Sequence, residues 1–340
     1  MSLFYYDIDG NRFSNKIQAL EHKNKTNKEV YLYYYDDLFD KVNWKIEPIE
    51  PLDSLYKHQA QRIRDEYDYV ILLYSGGYDS TNILETFHYN NIKLDKIVVT
   101  GPFKQDKHSG TDNNHNGEIY RNAFPYLNEL GLQSITQIVD YTDMYIDPKN
   151  FSIYELGDDW IYEAGSRFSP HHWFWRDLDR HIVPNLERDK KIAIIWGTDK
   201  PLIKKNQEGI YFRFNDAAIT SYGRQNQPFR HNIDNINFYW DHNNPFILIK
   251  QLHLITNRYK IHNQYLNVTD TVDTIYNLKK PLLYKSSKTL GTALSIRDNF
   301  LLNHKNSDLY KFYNLGMNNL IKKFGKKNLD SIYSKKYIIQ

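Results

Sequence analysis

Continuous apolar runs and amphipathic segments alternate along the middle of the chain, between residues 51 and 205. The apolar runs have the length of strands, and the segments between them have helical spacing. The predicted strands are Tyr69–Tyr74, Lys96–Thr100, Ile135–Asp140 and Ile192–Trp196; the predicted helices are Ser80–Tyr89, Glu118–Leu130 with a disturbance at Pro125, and a stretch within His172–Arg188. Strands that are apolar on both faces and alternate with helices are typical of a doubly wound, mostly parallel, Rossmann-like α/β sheet.

The first 50 residues have a different pattern, which predicts a small N-terminal α+β module. Short aromatic runs around an Asp-Gly turn signal indicate a hairpin, and prolines mark the connector that follows the module. The predicted elements are the strands Phe4–Ile8, Asn11–Phe13 and Val30–Tyr35, a helix from the N-cap Ser14 to Glu21, the connector with Pro48 and Pro51, and a helix from the N-cap Asp53 to about Tyr67.

Residues 206–340 are less regular and predict a mainly helical C-terminal region that completes the substrate site. We expect a strand at Tyr211–Phe214 and an ordered segment at Phe238–Asp241 that packs back on the sheet. The predicted helices are Phe246–Tyr259, Val268–Leu278 and Asp308–Phe324. The chain therefore divides into residues 1–50, an α/β domain at residues 51–205, and residues 206–340.

Composition narrows the class of protein without naming a function. The 44 basic and 41 acidic residues give a net charge of +3, so the whole chain gives no argument for nucleic acid, although lysine pairs make the last third locally basic. No stretch approaches the ~18 apolar residues of a membrane-spanning helix, and residues 1–10 do not resemble a signal peptide. We expect a cytoplasmic protein that does not bind membranes, and self-association stays open.

The chain has no cysteine, which excludes several kinds of chemistry. Disulfide frameworks, thiolate zinc sites, iron–sulfur clusters and cysteine nucleophiles all need cysteine. Any catalysis by this chain therefore depends on oxygen and nitrogen groups.

The clearest chemical signal is the sequence Ser75-Gly76-Gly77-Tyr78-Asp79-Ser80, between a predicted buried strand and a predicted helix. Two glycines permit a tight turn whose backbone N–H groups point into one concavity, and the helix that begins there adds its positive end. Ser75 and Ser80 contribute hydroxyl donors. The segment is neither a Walker A loop nor a dinucleotide-binding fingerprint, because the glycine spacing differs and no Gly-Lys-Ser/Thr follows. It predicts an anion site, with phosphate as the expected anion.

In this strand–turn–helix setting, the six residues resemble the pyrophosphate-binding loop of the PP-loop ATP pyrophosphatases, the adenine nucleotide alpha hydrolase-like superfamily. That superfamily includes asparagine synthetase, GMP synthetase and tRNA lysidine synthetase, and the pattern is closest to the synthetase domain of asparagine synthetase. The resemblance covers about residues 65–200. It implies a HUP-type sheet, ATP as cofactor, attack of a substrate oxygen on the α-phosphate, and Mg²⁺-assisted release of pyrophosphate.

Three residues are candidates for catalysis. Asp79 would repel pyrophosphate unless a cation lies between them, so it predicts Mg²⁺ or a neighbouring lysine at the loop. Asp199 follows another predicted strand and resembles the acidic residue that helps to hold the metal in the asparagine synthetase branch. Lys200 is the candidate that neutralises the departing pyrophosphate. Asp79 and Asp199 are therefore the candidate metal ligands.

The resemblance also indicates where adenine would lie. In the superfamily, the backbone after the strand that corresponds to Lys96–Thr100 lies against the base, which makes Phe103 a candidate for base contact. The candidate nucleotide-binding residues are Ser75, Gly76, Gly77, Tyr78, Asp79, Ser80, Thr100 and Gly101.

The absence of cysteine also argues against two branches of this superfamily, the sulfur-transferring enzymes and the enzymes with a built-in glutaminase. Sulfur transfer commonly uses cysteine, and a built-in glutaminase of the asparagine synthetase type needs one as its first mature residue. We therefore expect an AMP-forming ligase that activates a small substrate through its carboxylate or carbonyl oxygen and transfers it to an amine or to ammonia. A tRNA- or DNA-modifying enzyme of the same superfamily is the alternative, with the basic C-terminal region holding nucleic acid. A nucleotide-binding module without turnover is a third hypothesis.

Overall fold

The computed structural model describes residues 4–101, 103, 118–141, 182–183, 189–197, 201–216, 232–262, 308–330 and 332–339. In chain order, the strands of these residues are β1 (Phe4–Ile8), β2 (Asn11–Phe13), β3 (Tyr31–Tyr34), β4 (Tyr69–Leu73), β5 (Lys96–Gly101), β6 (Thr136–Asp140), β7 (Ile192–Trp196), β8 (Leu202–Asn206), β9 (Gly209–Arg213), β10 (Ile233–Asn237) and β11 (Tyr337–Ile338). The α-helices are α1 (Lys16–Thr26), α2 (Asp36–Phe39), α3 (Leu52–Glu66), α4 (Tyr78–Tyr89), α5 (Phe124–Glu129), α6 (Phe246–His262) and α7 (Asp308–Phe324).

A five-stranded parallel sheet forms the centre of the protein, in the order β10-β7-β4-β5-β6. Alternate residues of its strands enter two different apolar clusters. In β4, for example, Val70 and Leu72 pack with the cluster that includes α3 and α4, whereas Ile71 and Leu73 pack with Ile182 on the other face. Both faces are buried, which explains why the strands are apolar at consecutive positions. The predicted α/β class with a parallel sheet is confirmed.

The parallel sheet extends beyond residue 205, because β10 adds its fifth strand beside β7. The apolar pattern does not reveal β10, since Asp234, Asn235 and Asn237 make it largely polar. It lies at one end of the strand order, where one face of a strand can meet water. The residues after it, Phe238 to Trp240, are almost completely buried, which agrees with the prediction that this segment packs back on the sheet.

Helix starts differ from two sequence predictions. Helix α1 is capped by Asn15, whose Oδ1 accepts hydrogen bonds from the backbone N–H of Ile17 at 2.7 Å and of Gln18 at 3.4 Å, so the prediction of Ser14 as N-cap is wrong. Helix α3 begins one residue after Pro51, and Asp53 lies inside its first turn instead of capping it. An acidic side chain in a first turn still stabilises the helix through the macrodipole.

The predicted disturbance at Pro125 takes a specific form. A π-helical turn at Ile119–Ala123 precedes α5, and Pro125 lies in the first turn of α5. The π-helical turn continues into α5 without a break, so Pro125 lies within one helical stretch, and the irregular turn before it is the disturbance. The predicted helices within His172–Arg188, apart from residues 182–183, and at Val268–Leu278 lie outside the described residues.

A second sheet brings the C-terminal segment beside residues that follow β7. Strands β8, β9 and β11 are antiparallel in the order β11-β9-β8, so residues near the C-terminus pair with residues 209–213. The N-terminal sheet, in the order β2-β1-β3, packs beside them. Aromatic rings form this contact: the centroids of Tyr34 and Phe214 are 4.7 Å apart, and those of Trp44 and Phe212 are 4.6 Å apart.

None of the helices in the described parts of the chain is long and apolar enough to span a membrane.

Candidate functional site

The Ser75–Ser80 loop lies at the carboxyl end of β4, the middle strand of the parallel sheet. From β4 the chain proceeds to β5 and β6 on one side, and it then returns to β7 and β10 on the other side. The strand order therefore reverses at β4. In open α/β sheets, ligands bind in the crevice beyond the carboxyl ends of the strands at this position.

Gly76 meets two separate geometric demands in this loop. Its φ is +81°, a conformation that is strained for residues with a side chain. A Cβ at this position would also lie 2.8 Å from the backbone nitrogen and 2.9 Å from the Cβ of Ala123. The π-helical turn that ends at Ala123 thus packs directly against the loop, and only glycine permits this close approach.

The two serine side chains have different surroundings. Ser80 is buried, and its Oγ donates to the Gly77 carbonyl oxygen at 3.2 Å and accepts from the backbone N–H of Ser75 at 3.3 Å. Ser75 is exposed; its Oγ accepts from the backbone N–H of Gly77 at 3.2 Å and lies 3.1 Å from Ser80 Oγ. Ser80 therefore holds the two sides of the loop together, whereas Ser75 lies on the open side.

Helix α4 begins directly from the loop. Gly77 is its N-cap, and because glycine has no side chain, the cap offers no side-chain oxygen to the N–H groups of the first turn. Asp79 lies in that first turn and is half-buried. The positive end of the helix dipole and a carboxylate therefore occupy the same end of α4.

A buried tyrosine from the segment after β10 holds the first turn of α4. The Tyr239 hydroxyl donates to the backbone carbonyl oxygen of Asp79 at 2.7 Å and accepts from Asn82 Nδ2 at 3.1 Å. Tyr239 is fully buried. The position of Asp79 is therefore fixed by a residue 160 positions away in the sequence.

The carboxyl end of β7 reaches the same place. A Cβ at Gly197 would lie 3.0 Å from the backbone nitrogen of Ser80 and 3.1 Å from the carbonyl carbon of Asp79. Gly197, the residue directly after β7, thus lies against the first turn of α4. The next residues, including the candidate catalytic residues Asp199 and Lys200, lie outside the described residues.

The candidate base-contact residues lie at the end of the neighbouring strand. Thr100 is half-buried and Gly101 is buried, and the backbone N–H of Phe103 donates to Asp140 Oδ1 at 3.1 Å. The Phe103 ring packs at 6.1 Å from Tyr120 and 6.0 Å from Phe124, centroid to centroid. Because Tyr120 belongs to the π-helical turn that contacts Gly76, these rings lie on the β5 side of the loop.

The chain matches no protein-family model and no curated protein. The geometry of the loop therefore carries the functional argument.

One carboxylate that lies at the loop, that of Glu118, is not indicated by any sequence motif. Glu118 precedes the π-helical turn, and a Cβ at Gly77 would lie 3.0 Å from Glu118 Oε1 and 3.3 Å from Ser75 Oγ. The carboxylate and the Ser75 hydroxyl thus face the same side of Gly77. Only the packing of the π-helical turn against Gly76 brings Glu118 there, because in the chain it lies 38 positions after Ser80, the end of the loop.

Negative charge at the loop also acts on two neighbouring tyrosines. The pKa of Tyr74 is raised to about 12, chiefly by burial; a hydrogen bond with Thr81 opposes the rise, and the charges of Glu85 and Glu118 contribute to it. Burial likewise raises the pKa of Tyr56; the hydrogen bond from Gln251 lowers it, and the charge of Asp79 adds to the rise. Both tyrosines are therefore neutral hydroxyl groups at pH 7.

Proposed function

We propose that this chain is a PP-loop ATP pyrophosphatase that works as an AMP-forming ligase. The observation that carries the proposal is the position of Ser75–Ser80: a glycine loop that opens helix α4 at the carboxyl end of β4, where the strand order reverses. A phosphate group fits a helix N-terminus of this kind. The proposed arrangement is a doubly wound, HUP-type sheet, and the burial of both faces of β4 supports it.

In this proposal, the loop binds the β- and γ-phosphates of ATP. The exposed Ser75 hydroxyl and the positive end of α4 bind phosphate oxygens, while the buried Ser80 and Gly76 maintain the shape of the loop. The end of β5 at Thr100 and Gly101 lies against adenine, as in the superfamily that the sequence resembles.

The residues present fit a magnesium ion. The described residues contain no group of three metal-ligating side chains, but Asp79 and Glu118 place two carboxylates at one loop. Mg²⁺ is commonly held by one or two carboxylates together with substrate phosphates. When bound, Mg²⁺ neutralises the charge of the departing pyrophosphate. In this proposal, Asp199 is a further metal ligand, and Lys200 neutralises the departing pyrophosphate.

The substrate supplies the oxygen that attacks the α-phosphate of ATP. A carboxylate or carbonyl oxygen forms a bond to that phosphorus, and the bond to the bridging oxygen of pyrophosphate breaks. An amine or ammonia then displaces AMP from the activated substrate. Because the chain has no cysteine, ammonia would come from solution or from another protein instead of a glutaminase site in this chain.

The test is a screen for pyrophosphate release by the full chain with ATP, Mg²⁺ and mixtures of carboxylates, amines and RNA fractions. We expect release with one mixture, and we expect Asp79→Asn to lower the rate more than about tenfold, since a metal ion contributes several kcal/mol of charge stabilisation. Asp65→Asn is the matched control, because Asp65 is an exposed carboxylate on α3. Its rate should stay within about twofold of the parent.

Three results would contradict the proposal in different ways. ATP binding without pyrophosphate release from any mixture would instead indicate a nucleotide-binding module. Release that needs RNA and weakens steeply with salt would indicate a nucleic-acid-modifying enzyme. An undiminished rate in Asp79→Asn would remove Asp79 from the metal site.

A further inference from the structure

The side chain of Glu118 is held over the anion-binding side of the loop by packing on both sides of its turn. Ile119 and Ala123, which bound the π-helical turn, are buried, and Ala123 abuts Gly76. Glu118 is half-buried, and its Oε1 would lie 3.0 Å from a Cβ at Gly77. The carboxylate therefore lies beside the face of the loop where Ser75 is exposed.

We propose that Glu118 makes phosphate binding at this loop dependent on a divalent cation. This inference rests on the proposed function, in which Glu118 is one of two carboxylates at the loop, and it gives Glu118 a role in ligand selection. Asp79 lies in the first turn of α4, and Glu118 precedes the π-helical turn that packs on Gly76, so a phosphate bound to the loop has two acidic residues near it. Like charges at this range disfavour binding, whereas a divalent cation shared by carboxylate and phosphate oxygens converts the repulsion into attraction.

The consequence is selection for the metal-complexed form of the ligand. A loop with only backbone N–H groups and hydroxyls binds a free anion and its metal complex alike. With Glu118 beside Gly77, free pyrophosphate or ATP is disfavoured and the magnesium complex is favoured. Glu118 therefore acts as a specificity-determining residue of the site.

Calorimetric titration of inorganic pyrophosphate tests this role without catalysis. The full chain and Glu118→Gln are each titrated in buffer with Mg²⁺ and in buffer with EDTA. We expect the parent to bind pyrophosphate at least about tenfold more weakly in EDTA, because one charge at 4–6 Å shifts an equilibrium by about 1–3 log units. Glu118→Gln should bind more tightly than the parent in EDTA by a similar factor and lose most of the dependence on Mg²⁺.

Glu129→Gln is the matched control, because it removes the same charge from an exposed position at the far end of α5. It should retain the dependence of the parent on Mg²⁺. If the parent binds the magnesium complex and Glu118→Gln keeps the same dependence, the role of Glu118 is wrong and the proposed function stands. If the parent binds neither pyrophosphate nor ATP in either buffer, the proposed function fails as well.

Discussion

At the scale of single residues, the conformation of the Ser75–Ser80 loop depends most on Gly76. Ser75 and Ser80 exchange hydrogen bonds that many polar residues could replace in part, but the backbone of Gly76 is constrained twice. Its φ of +81° disfavours any side chain, and the 2.8 Å distance to Ala123 leaves no volume for a methyl group. The sequence predicts the first requirement, since two glycines in a turn indicate such a conformation. The second depends on a turn that is remote in the chain.

Gly76→Ala should therefore destabilise the protein more than conformational strain alone would. Left-handed backbone strain costs about 1–2 kcal/mol, and overpacking adds about 1–3 kcal/mol. Gly10→Ala is the matched control, because Gly10 has a similar φ of +86° and nothing within 4 Å of the added methyl group. The measurement is the free energy of unfolding in urea. Equal losses in the two variants would show that Ala123 does not constrain Gly76.

At the scale of elements, the first turn of α4 is held by a segment that follows a different strand. Tyr239 lies after β10 and bonds to Asp79 and Asn82 from inside the protein. The sequence predicts a buried aromatic segment at this position, because three aromatic residues follow one another. It does not predict which hydroxyl meets which carbonyl, since that depends on β10 pairing beside β7.

Tyr239→Phe should loosen the start of α4. Removing a hydroxyl that bonds to a buried amide and a part-buried carbonyl costs about 1–3 kcal/mol of stability, and the amide protons in the first turn of α4 should exchange faster with solvent. Tyr67→Phe is the matched control, because the Tyr67 hydroxyl donates to Asp234 at 2.9 Å near the start of β10. Hydrogen exchange measured residue by residue distinguishes the two variants, since only Tyr239→Phe should speed exchange in the first turn of α4. Unchanged exchange in α4 of Tyr239→Phe would contradict the assigned role.

At the scale of the whole molecule, a buried ion pair connects three distant stretches of the chain. Lys16 Nζ lies 2.9 Å from Asp216 Oδ2, and the two side chains are 2 % and 0 % exposed. The same ammonium group donates to the carbonyl oxygens of Leu329 at 3.2 Å and Asp330 at 2.7 Å. Helix α1, the segment after β9 and the C-terminal segment thus meet at one cation.

Lys16→Met should be strongly destabilising, because it leaves the Asp216 carboxylate buried without its cation. Breaking a buried pair in this way costs about 3–5 kcal/mol. Lys23→Met is the matched control on the same helix, since its pair with the exposed Glu29 contributes at most about 1 kcal/mol. Urea unfolding of both variants gives the comparison, and Lys16→Met combined with Asp216→Asn should recover part of the loss. Similar losses for Lys16→Met and Lys23→Met would refute the role of this pair.

Much of the fold could be predicted because local pattern and tertiary structure agree. The hairpin at Asp9-Gly10, strand β7 and helix α7 occur where the apolar periodicity and turn signals place them. The exceptions have local causes. Strand β10 is polar because it lies at one end of the sheet, and α1 is capped by Asn15 instead of Ser14 because the neighbouring asparagine makes the capping bond.

The sequence by itself determined the α/β class, the alternation of strands and helices, and the loop at Ser75–Ser80, since each is encoded by residues adjacent in the chain. Only the tertiary structure decided which other groups meet that loop: Ala123, Tyr239, Gly197 and Glu118. These residues come from separate elements, and the order of parallel strands brings them to one edge of the sheet. No local pattern specifies that order, because it follows from the packing of buried surfaces over the whole chain.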